Sequence, residues 1–269
     1  CLNVIPVEFT YVVPTYKSGA ENKSYAVLEQ IIEAGKTVMT HGKEEATMVR
    51  IDPAIGLNEW YKDENGTDVL VSTKRNEGGF IHIVNALNAD EGKRSTFEAD
   101  MVITGTVMLD GDEEKGTQDK LLVKGCIFNF ANRLMPVEFS VLNPNGIKYF
   151  ENLDATPNTP VFTKVWGRQV NETIITKVVE ESAFGDSQVR ETKRERKDWV
   201  ITGTSTVQYE FDTEGVLTAQ ELKEAMSARE IHLAEMLQKT KEYKAAKDNK
   251  NNAFTAGATQ APAAGGFNF

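Results

Sequence analysis

The sequence contains few of the residues that covalent or metal chemistry needs. It has only two cysteines, Cys1 and Cys126, and three histidines, at positions 41, 82 and 232. Two cysteines cannot form a disulfide framework, and no Cys/His spacing suits a zinc site. A glycine-rich phosphate loop and a G-x-S-x-G nucleophile turn are also absent. The sequence therefore favours a non-enzymatic protein that needs neither a metal nor a cofactor.

Long apolar runs are missing as well. No run approaches the roughly 20 apolar residues that cross a bilayer, and no basic stretch followed by an apolar signal region stands at the start. We therefore expect a soluble cytoplasmic protein without a membrane partner. Hydrophobic residues make up 40% and charged residues 26% of the 269 positions, as is usual for a globular protein with a substantial core.

Positive charge is scarce, but not uniformly so. The formal net charge is -10, which argues against a nucleic-acid partner because phosphate binding needs cations. The acidic excess lies mainly in residues 1–120, which carry 12 Lys and Arg against 21 Asp and Glu. Residues 121–217 carry 11 against 13, and residues 218–269 carry 7 against 6. The C-terminal half therefore remains compatible with an anionic partner.

Most of the chain has the pattern of β-strands. Residues 2–14 form one β segment, and from Thr37 to Phe139 short Val/Ile/Thr-rich runs recur between turn signals. Residues 97–109 and 119–142 are the strongest candidates in this part. Residues 161–181 and 189–211 then predict a long hairpin whose outer part projects beyond the sheet. We predict one β-rich domain over residues 1–217, with the strongest signal in 121–217.

The last part of the chain changes to a helical pattern. Thr218 and Glu221 have the spacing of a capping box, which satisfies free amides at a helix start. An apolar stripe at helical spacing follows, formed by Leu222, Ala225, Met226, Leu233, Met236 and Leu237. The pattern predicts a helix over 218–247 and a flexible, low-complexity tail over 248–269. Either could join copies of the chain into a homo-oligomer.

One strand combines rings with cations. In "VFTKVWGRQV", from residue 161, the two-residue alternation places Phe162, Lys164, Trp166 and Arg168 on one face. Rings stack on bases, and cations beside them lie near the phosphates that join stacked bases. The alternative is that Trp166 lies in the core while Lys164 and Arg168 extend to water.

The second strand of the predicted hairpin carries arginines on one face. Alternation groups Arg190, Arg194 and Arg196, while the other face, with Glu191, Lys193, Glu195 and Lys197, can neutralise itself. The arginines lie about 7 to 14 Å apart at a rise of about 3.4 Å per residue, which roughly matches successive single-strand phosphates. A solvated hairpin or an acidic protein partner is the alternative.

These two strands also carry a resemblance. Residues of about 135–215, including "FSVLNPNGIKYFENLD" and "TPVFTKVWGRQV" to "RETKRERKDWVITG", resemble phage-encoded single-stranded DNA-binding proteins with an OB-like core. The resemblance implies a mainly β fold with an OB-like antiparallel barrel, an extended hairpin and an additional β-rich N-terminal half. It also implies sequence-independent binding of single-stranded DNA in phage replication or recombination, in the host cytoplasm. The seven residues of the two faces would bind the DNA.

The chain end resembles a different part of such proteins. "AGATQAPAAGGFNF" is similar to the flexible linker and terminal phenylalanine through which bacterial single-strand binders recruit partners, although the acidic residues of that tip are absent. The similarity implies that Phe267 and Phe269 bind replication or recombination proteins. A disordered tail or a contact between subunits is the alternative.

Two other functions are compatible with the sequence. A β-rich structural protein of a phage particle would use the C-terminal helix and tail to hold neighbouring subunits. A metal-dependent nuclease would need the acidic run Asp110, Asp112, Glu113 and Glu114 to bind magnesium. This run lies in a predicted hairpin turn without further placed carboxylates, which favours a solvated loop.

Overall fold

The structure is a computed structural model. It describes the backbone of residues 3–112, 117–180, 184 and 188–256. In the outer hairpin and at the end of the last helix it describes the backbone alone, for residues 172–174, 176–180, 188–190, 192, 194–195 and 248–256.

The described chain is mainly β, as predicted. Its strands are β1 (Val7–Glu8), β2 (Val49–Glu64), β3 (Thr67–Ile83), β4 (Thr96–Leu109), β5 (Lys120–Phe128), β6 (Leu134–Val141), β7 (Val161–Glu180) and β8 (Gln188–Thr204). Its α-helices are α1 (Lys23–Ala34), α2 (Val38–Glu45), α3 (Pro144–Glu151) and α4 (Ala219–Ala256), and a short 3-10 helix covers Glu91–Lys93.

The C-terminal five strands form a closed barrel in the order β4-β5-β6-β8-β7. Strand β4 pairs with both β5 and β7 and so closes the ring. The pairing is antiparallel except between β6 and β8, which are parallel where Ser140 faces Val200. With α3 between the third and fourth barrel strands, this is the five-stranded Greek-key arrangement of an OB-like fold.

The barrel interior is filled by one side of each strand. Alternation turns Met101, Ile103, Val123, Phe139 and Val165 inward, and each is fully buried. A second apolar cluster lies on the outside of the barrel, where residues of 209–225 cover Val102, Cys126, Leu134 and Phe162. The segment before α4 therefore packs on the barrel as a second layer.

The N-terminal half forms a separate three-stranded sheet in the order β1-β3-β2. Strands β2 and β3 are 16 and 17 residues long and join at Asn65 and Gly66, whose φ angles of 55° and 83° suit a tight hairpin turn. The predicted β segment over residues 2–14 is wrong in extent, because only Val7–Glu8 pairs as a strand. Helix α2 lies where short strands were predicted.

Buried amides hold the two sheets together. The Asn76 Nδ2 group donates to Gln169 Oε1 at 2.8 Å, and Gln169 Nε2 donates to Asn76 Oδ1 at 2.7 Å. Beside them, Ile55 and Leu57 of β2 pack against the barrel core. The hairpin β2–β3 is therefore docked on the barrel by a polar centre flanked by apolar contacts.

Helix α4 begins with the predicted capping box, since the Glu221 amide donates to Thr218 Oγ1 at 3.1 Å and the Thr218 amide to Glu221 Oε2 at 2.8 Å. It continues to Ala256, so residues 248–256 are helical instead of belonging to the predicted tail. Arg229 fixes the helix to β2 through Glu59, at 2.6 Å. Within the described residues, no helix has the length and apolar character needed to cross a membrane.

Candidate nucleic-acid interface

The predicted face of rings and cations lies on the outer surface of the barrel. The β7 neighbours Thr163, Val165 and Gln169 are buried, whereas Trp166 and Arg168 are exposed. Trp166 is 41% exposed, and its indole lies against Gly203 of β8. A Cβ atom at Gly203 would lie 2.4 Å from Trp166 Nε1, so glycine leaves room for the ring. Trp166 is therefore not sealed in the core.

Phe162 differs from Trp166 in its surroundings. It is only 9% exposed, because Tyr209 packs on its ring at a centroid distance of 4.8 Å and Phe211 at 5.8 Å. Base stacking needs an open ring face. The predicted stacking role of Phe162 is thus contradicted by the residues of 209–211 that cover it, and its ring is part of the outer apolar cluster.

Lys164 is engaged by a neighbouring strand. Its Nζ atom lies 2.7 Å from Glu98 Oε1 of β4. This hydrogen bond, with the charges of Asp100 and Glu98, raises the pKa of Lys164. Lys164 therefore keeps its positive charge, but a carboxylate already occupies one side of it. A phosphate at this position would have to displace or share the Glu98 contact.

Arg168 is the open cation of this face. Among the described side chains, none lies within ion-pair distance of its guanidinium. It stands two residues from Trp166, about 7 Å along the strand. A nucleotide whose base stacks on the indole would thus have a phosphate within reach of Arg168.

The hairpin β7–β8 continues this face beyond the barrel. Its antiparallel register aligns Glu172 with Arg196, Ile174 with Arg194 and Val178 with Arg190. Even-numbered positions of β7, including Trp166 and Arg168, alternate onto the same face as these partners. The register therefore places three arginines and two glutamates, Glu172 and Glu180, on a ribbon face continuous with Trp166. We call this surface the ribbon face.

Of the three arginines, the side chain of Arg196 is described, and those of Arg190 and Arg194 lie outside the described side chains. The Nε atom of Arg196 lies 3.2 Å from Asp198 Oδ2. Asp198 also accepts hydrogen bonds from Lys120 and from the hydroxyl of Ser140, both at 3.0 Å. Burial alone would raise the pKa of Asp198, but its bonds with these cations and the hydroxyl outweigh burial and lower it.

A set of lysines beside the ribbon was missed by the sequence analysis. Lys120 and Lys124 stand on the outer face of β5, where Lys124 pairs with Glu138 of β6 at 3.3 Å. Lys74 of β3 donates to the Glu138 carbonyl, and burial lowers its pKa. The outer face of the second and third barrel strands is an oligonucleotide-binding surface in OB folds. The alternation in "DKLLVKG" was the sequence signal that could have identified Lys120 and Lys124. No sequence signal pointed to Lys74.

Phe130 is a second residue that sequence reasoning missed. It lies in the turn between β5 and β6 and is fully exposed. A cleft of about 430 Å³ next to it is also lined by Glu98, Asp100 and Phe162. The spacing of Phe128 and Phe130 in "FNFANR" places both rings at a strand end, which was the available signal. Phe130 offers an open ring near the Lys164 side of the interface.

The predicted partner-binding phenylalanines and part of the acidic run fall outside the residues that the structure describes. Phe267 and Phe269 lie outside the described residues, as do Glu113 and Glu114 of the acidic run. In the described ranges, no group of three or more His, Cys, Asp and Glu side chains is arranged to hold a metal ion.

Comparison with protein families assigns the chain to one of them. The chain belongs to the YorF family, whose model matches residues 5–254 and so includes both sheets and all but the last two residues of α4. No curated protein and no solved structure matches it.

Proposed function

We propose that this protein binds single-stranded DNA without sequence preference, in phage DNA replication or recombination and in the cytoplasm of the host. The observation that supports this most is the open indole of Trp166, 41% exposed on the outside of an OB-like barrel. Arg168 lies beside it, and the ribbon face continues from both. Together they form a surface for stacked bases and for phosphates.

The position of the ribbon adds support. It joins the fourth and fifth strands of the barrel, and the loop at this place is one of those that bind oligonucleotides in OB folds. Stacking on one aromatic ring contributes about 1 to 3 kcal/mol per base with little sequence preference. Binding of this kind needs no reaction and no cofactor.

We further propose that the outer face of β5 extends this surface through Lys120 and Lys124. A partner role of Phe267 and Phe269 towards replication or recombination proteins belongs to the same proposal. Part of the apolar stripe of α4 already packs within the chain, where Leu222 and Ala225 join the outer apolar cluster. A homo-oligomer would therefore use other positions of this helix or the tail.

Titration with oligo-dT at several salt concentrations tests the proposal. Trp60 is 40% exposed on β2 and would add its own fluorescence signal, so binding is better followed by the anisotropy of a labelled oligonucleotide. We expect Trp166→Ala to weaken binding about five- to 150-fold, the equivalent of the 1 to 3 kcal/mol of one stacked base. Trp60→Ala is the matched control, with an equally exposed indole and an expected change under twofold.

The same titration examines the ribbon face. Arg194→Ala should lower the slope of log affinity against log salt by about 0.7, the value for one phosphate of a single strand. Wild-type protein that fails to bind oligo-dT in low salt would contradict the proposal. Equal losses in Trp166→Ala and Trp60→Ala would show that the binding site lies elsewhere.

A structural protein of a phage particle is the second candidate. The observation that favours it is the ribbon itself: in the described backbone, residues 172–180 and 188–197 pair only with each other. Strand edges of this kind can add strands from another copy. Assembly that grows with protein concentration, without oligo-dT binding, would favour this candidate in sedimentation measurements.

A further inference from the structure

Carboxylates of β4 share the face of Trp166. The register aligns Glu98 with Trp166, and Asp100 with Lys164. Glu98 Oε1 lies 2.7 Å from Lys164 Nζ, and the hydroxyl of Tyr209 donates to Asp100 Oδ1 at 2.9 Å. Both carboxylates are thus held at the surface beside the indole by contacts within the protein.

These carboxylates balance the cations of the face. Lys164 and Arg168 stand against Glu98 and Asp100, so the local formal charge is zero. The base of the ribbon face follows the same pattern, since Arg196 pairs with Asp198. With a net charge of -10 over the whole chain, phosphates gain little attraction from long-range charge.

This balance of charges affects the binding of single-stranded DNA and of duplex DNA differently. At a neutral surface, most of the affinity must come from the indole, and only unstacked bases can offer their ring faces to it. A duplex keeps its bases stacked inside and carries one phosphate charge per about 1.7 Å of its axis. Its rigid backbone would bring several phosphates close to the β4 carboxylates.

We propose that Glu98 and Asp100 are specificity-determining residues that exclude duplex DNA from the Trp166 surface while single strands bind there. A single strand is flexible enough to place one base on the indole and one phosphate at Arg168, away from Glu98. This inference rests on the proposed function and names its substrate selectivity.

The experiment compares wild-type protein with Glu98→Gln, which removes the charge and keeps the shape of a side chain that is 63% exposed. Affinities for a labelled dT oligonucleotide and for a labelled 20-base-pair duplex are measured over a range of salt concentrations. We expect duplex affinity to rise about three- to tenfold and single-strand affinity about twofold or less. The salt slope for the duplex should steepen by about 0.9, since Lys164 then becomes free for one phosphate.

Two further variants sharpen the comparison. Asp100→Asn should also raise duplex affinity, and it tests the second carboxylate separately. Glu45→Gln is the matched control, because Glu45, the last residue of α2, forms an exposed ion pair at 3.4 Å with Lys36, which precedes the helix. It should leave the ratio of the two affinities unchanged.

The possible failures are distinguishable. If wild-type protein binds the dT oligonucleotide but Glu98→Gln and Asp100→Asn leave the affinity ratio as in Glu45→Gln, the selectivity role is overturned and the proposed function stands. If wild-type protein does not bind the oligonucleotide, the proposed function is overturned together with this inference. Melting temperatures of the variants confirm that each affinity is measured on folded protein.

Discussion

Asp198 connects three elements at the base of the ribbon face. Its carboxylate accepts hydrogen bonds from Lys120 of β5, Ser140 of β6 and Arg196 of β8. We expect Asp198→Asn to lower the free energy of unfolding by about 1 to 3 kcal/mol at pH 7, because the cations lose a charged acceptor. Urea unfolding of the two proteins measures this difference.

The pH dependence of that difference has a defined sign. Since the pKa of Asp198 is lowered by folding from an ordinary value of 3.8, its stabilisation is present above about pH 4 and is lost as the pH falls through the folded-state value. Wild type and Asp198→Asn should thus converge in acid. Asp52→Asn, in a solvated pair with Arg50 at 3.7 Å, is the control and should change stability by under about 0.5 kcal/mol. If Asp198→Asn remains less stable than wild type in acid, the electrostatic explanation is contradicted.

Strands and helix ends that depend on neighbouring residues in the sequence were predicted correctly. Residues 97–109 were predicted as a strand and β4 covers Thr96–Leu109, because a half-buried strand shows its two-residue alternation directly. Two-residue alternation also predicted the hairpin of β7 and β8, and the spacing of Thr218 and Glu221 predicted the start of α4. Helix α2 has only two large apolar residues, Val38 and Met39, which are adjacent and exposed, so no apolar stripe at helical spacing could predict this helix.

Long-range contacts were beyond prediction. Phe162 and Trp166 have the same alternation, but only Phe162 is covered, by Tyr209 and Phe211 from more than 40 residues later. Likewise, Lys164 and Arg168 look alike in sequence, while Glu98 pairs with one of them alone. The face of a residue could be predicted, but its partners across the barrel could not.

A mostly buried ion pair joins α4 to β2. Arg229 and Glu59 have side chains only 14% and 10% exposed, and they meet at 2.6 and 3.2 Å. We expect Arg229→Ala to destabilise the protein by about 3 to 5 kcal/mol, because Glu59 would remain as a buried unpaired charge. Urea unfolding gives the size of the loss, and limited proteolysis shows whether α4 detaches.

Two variants check the explanation. The double variant Glu59→Leu/Arg229→Met removes both charges and should lose less than Arg229→Ala. Lys244→Ala breaks a more exposed contact of the same helix, with Asp68, and should cost under about 1 kcal/mol. A double variant less stable than Arg229→Ala would show that the pair itself, not the unpaired charge, carries the effect.

A buried amide pair between the two sheets determines whether the N-terminal sheet and the barrel unfold together. Asn76 and Gln169 exchange two hydrogen bonds in a buried site between them, and Asn76 also donates to the Pro6 carbonyl at 3.1 Å. Neither amide can be rehydrated unless the sheets separate. Because each would lose its partner on separation, the pair couples the stability of the N-terminal sheet to that of the barrel.

Tryptophans in each part report on this coupling. Trp60 lies on β2, whereas Trp199 packs on Phe97 in the barrel at 5.3 Å. In variants that keep only one of the two, with Phe at the other and at Trp166, both probes should show the same urea transition. Asn76→Ala should shift both midpoints together, by about 1 to 3 kcal/mol in stability, since Gln169 is left unpaired. A midpoint that moves for Trp60 alone would mean that the N-terminal sheet unfolds independently of the barrel.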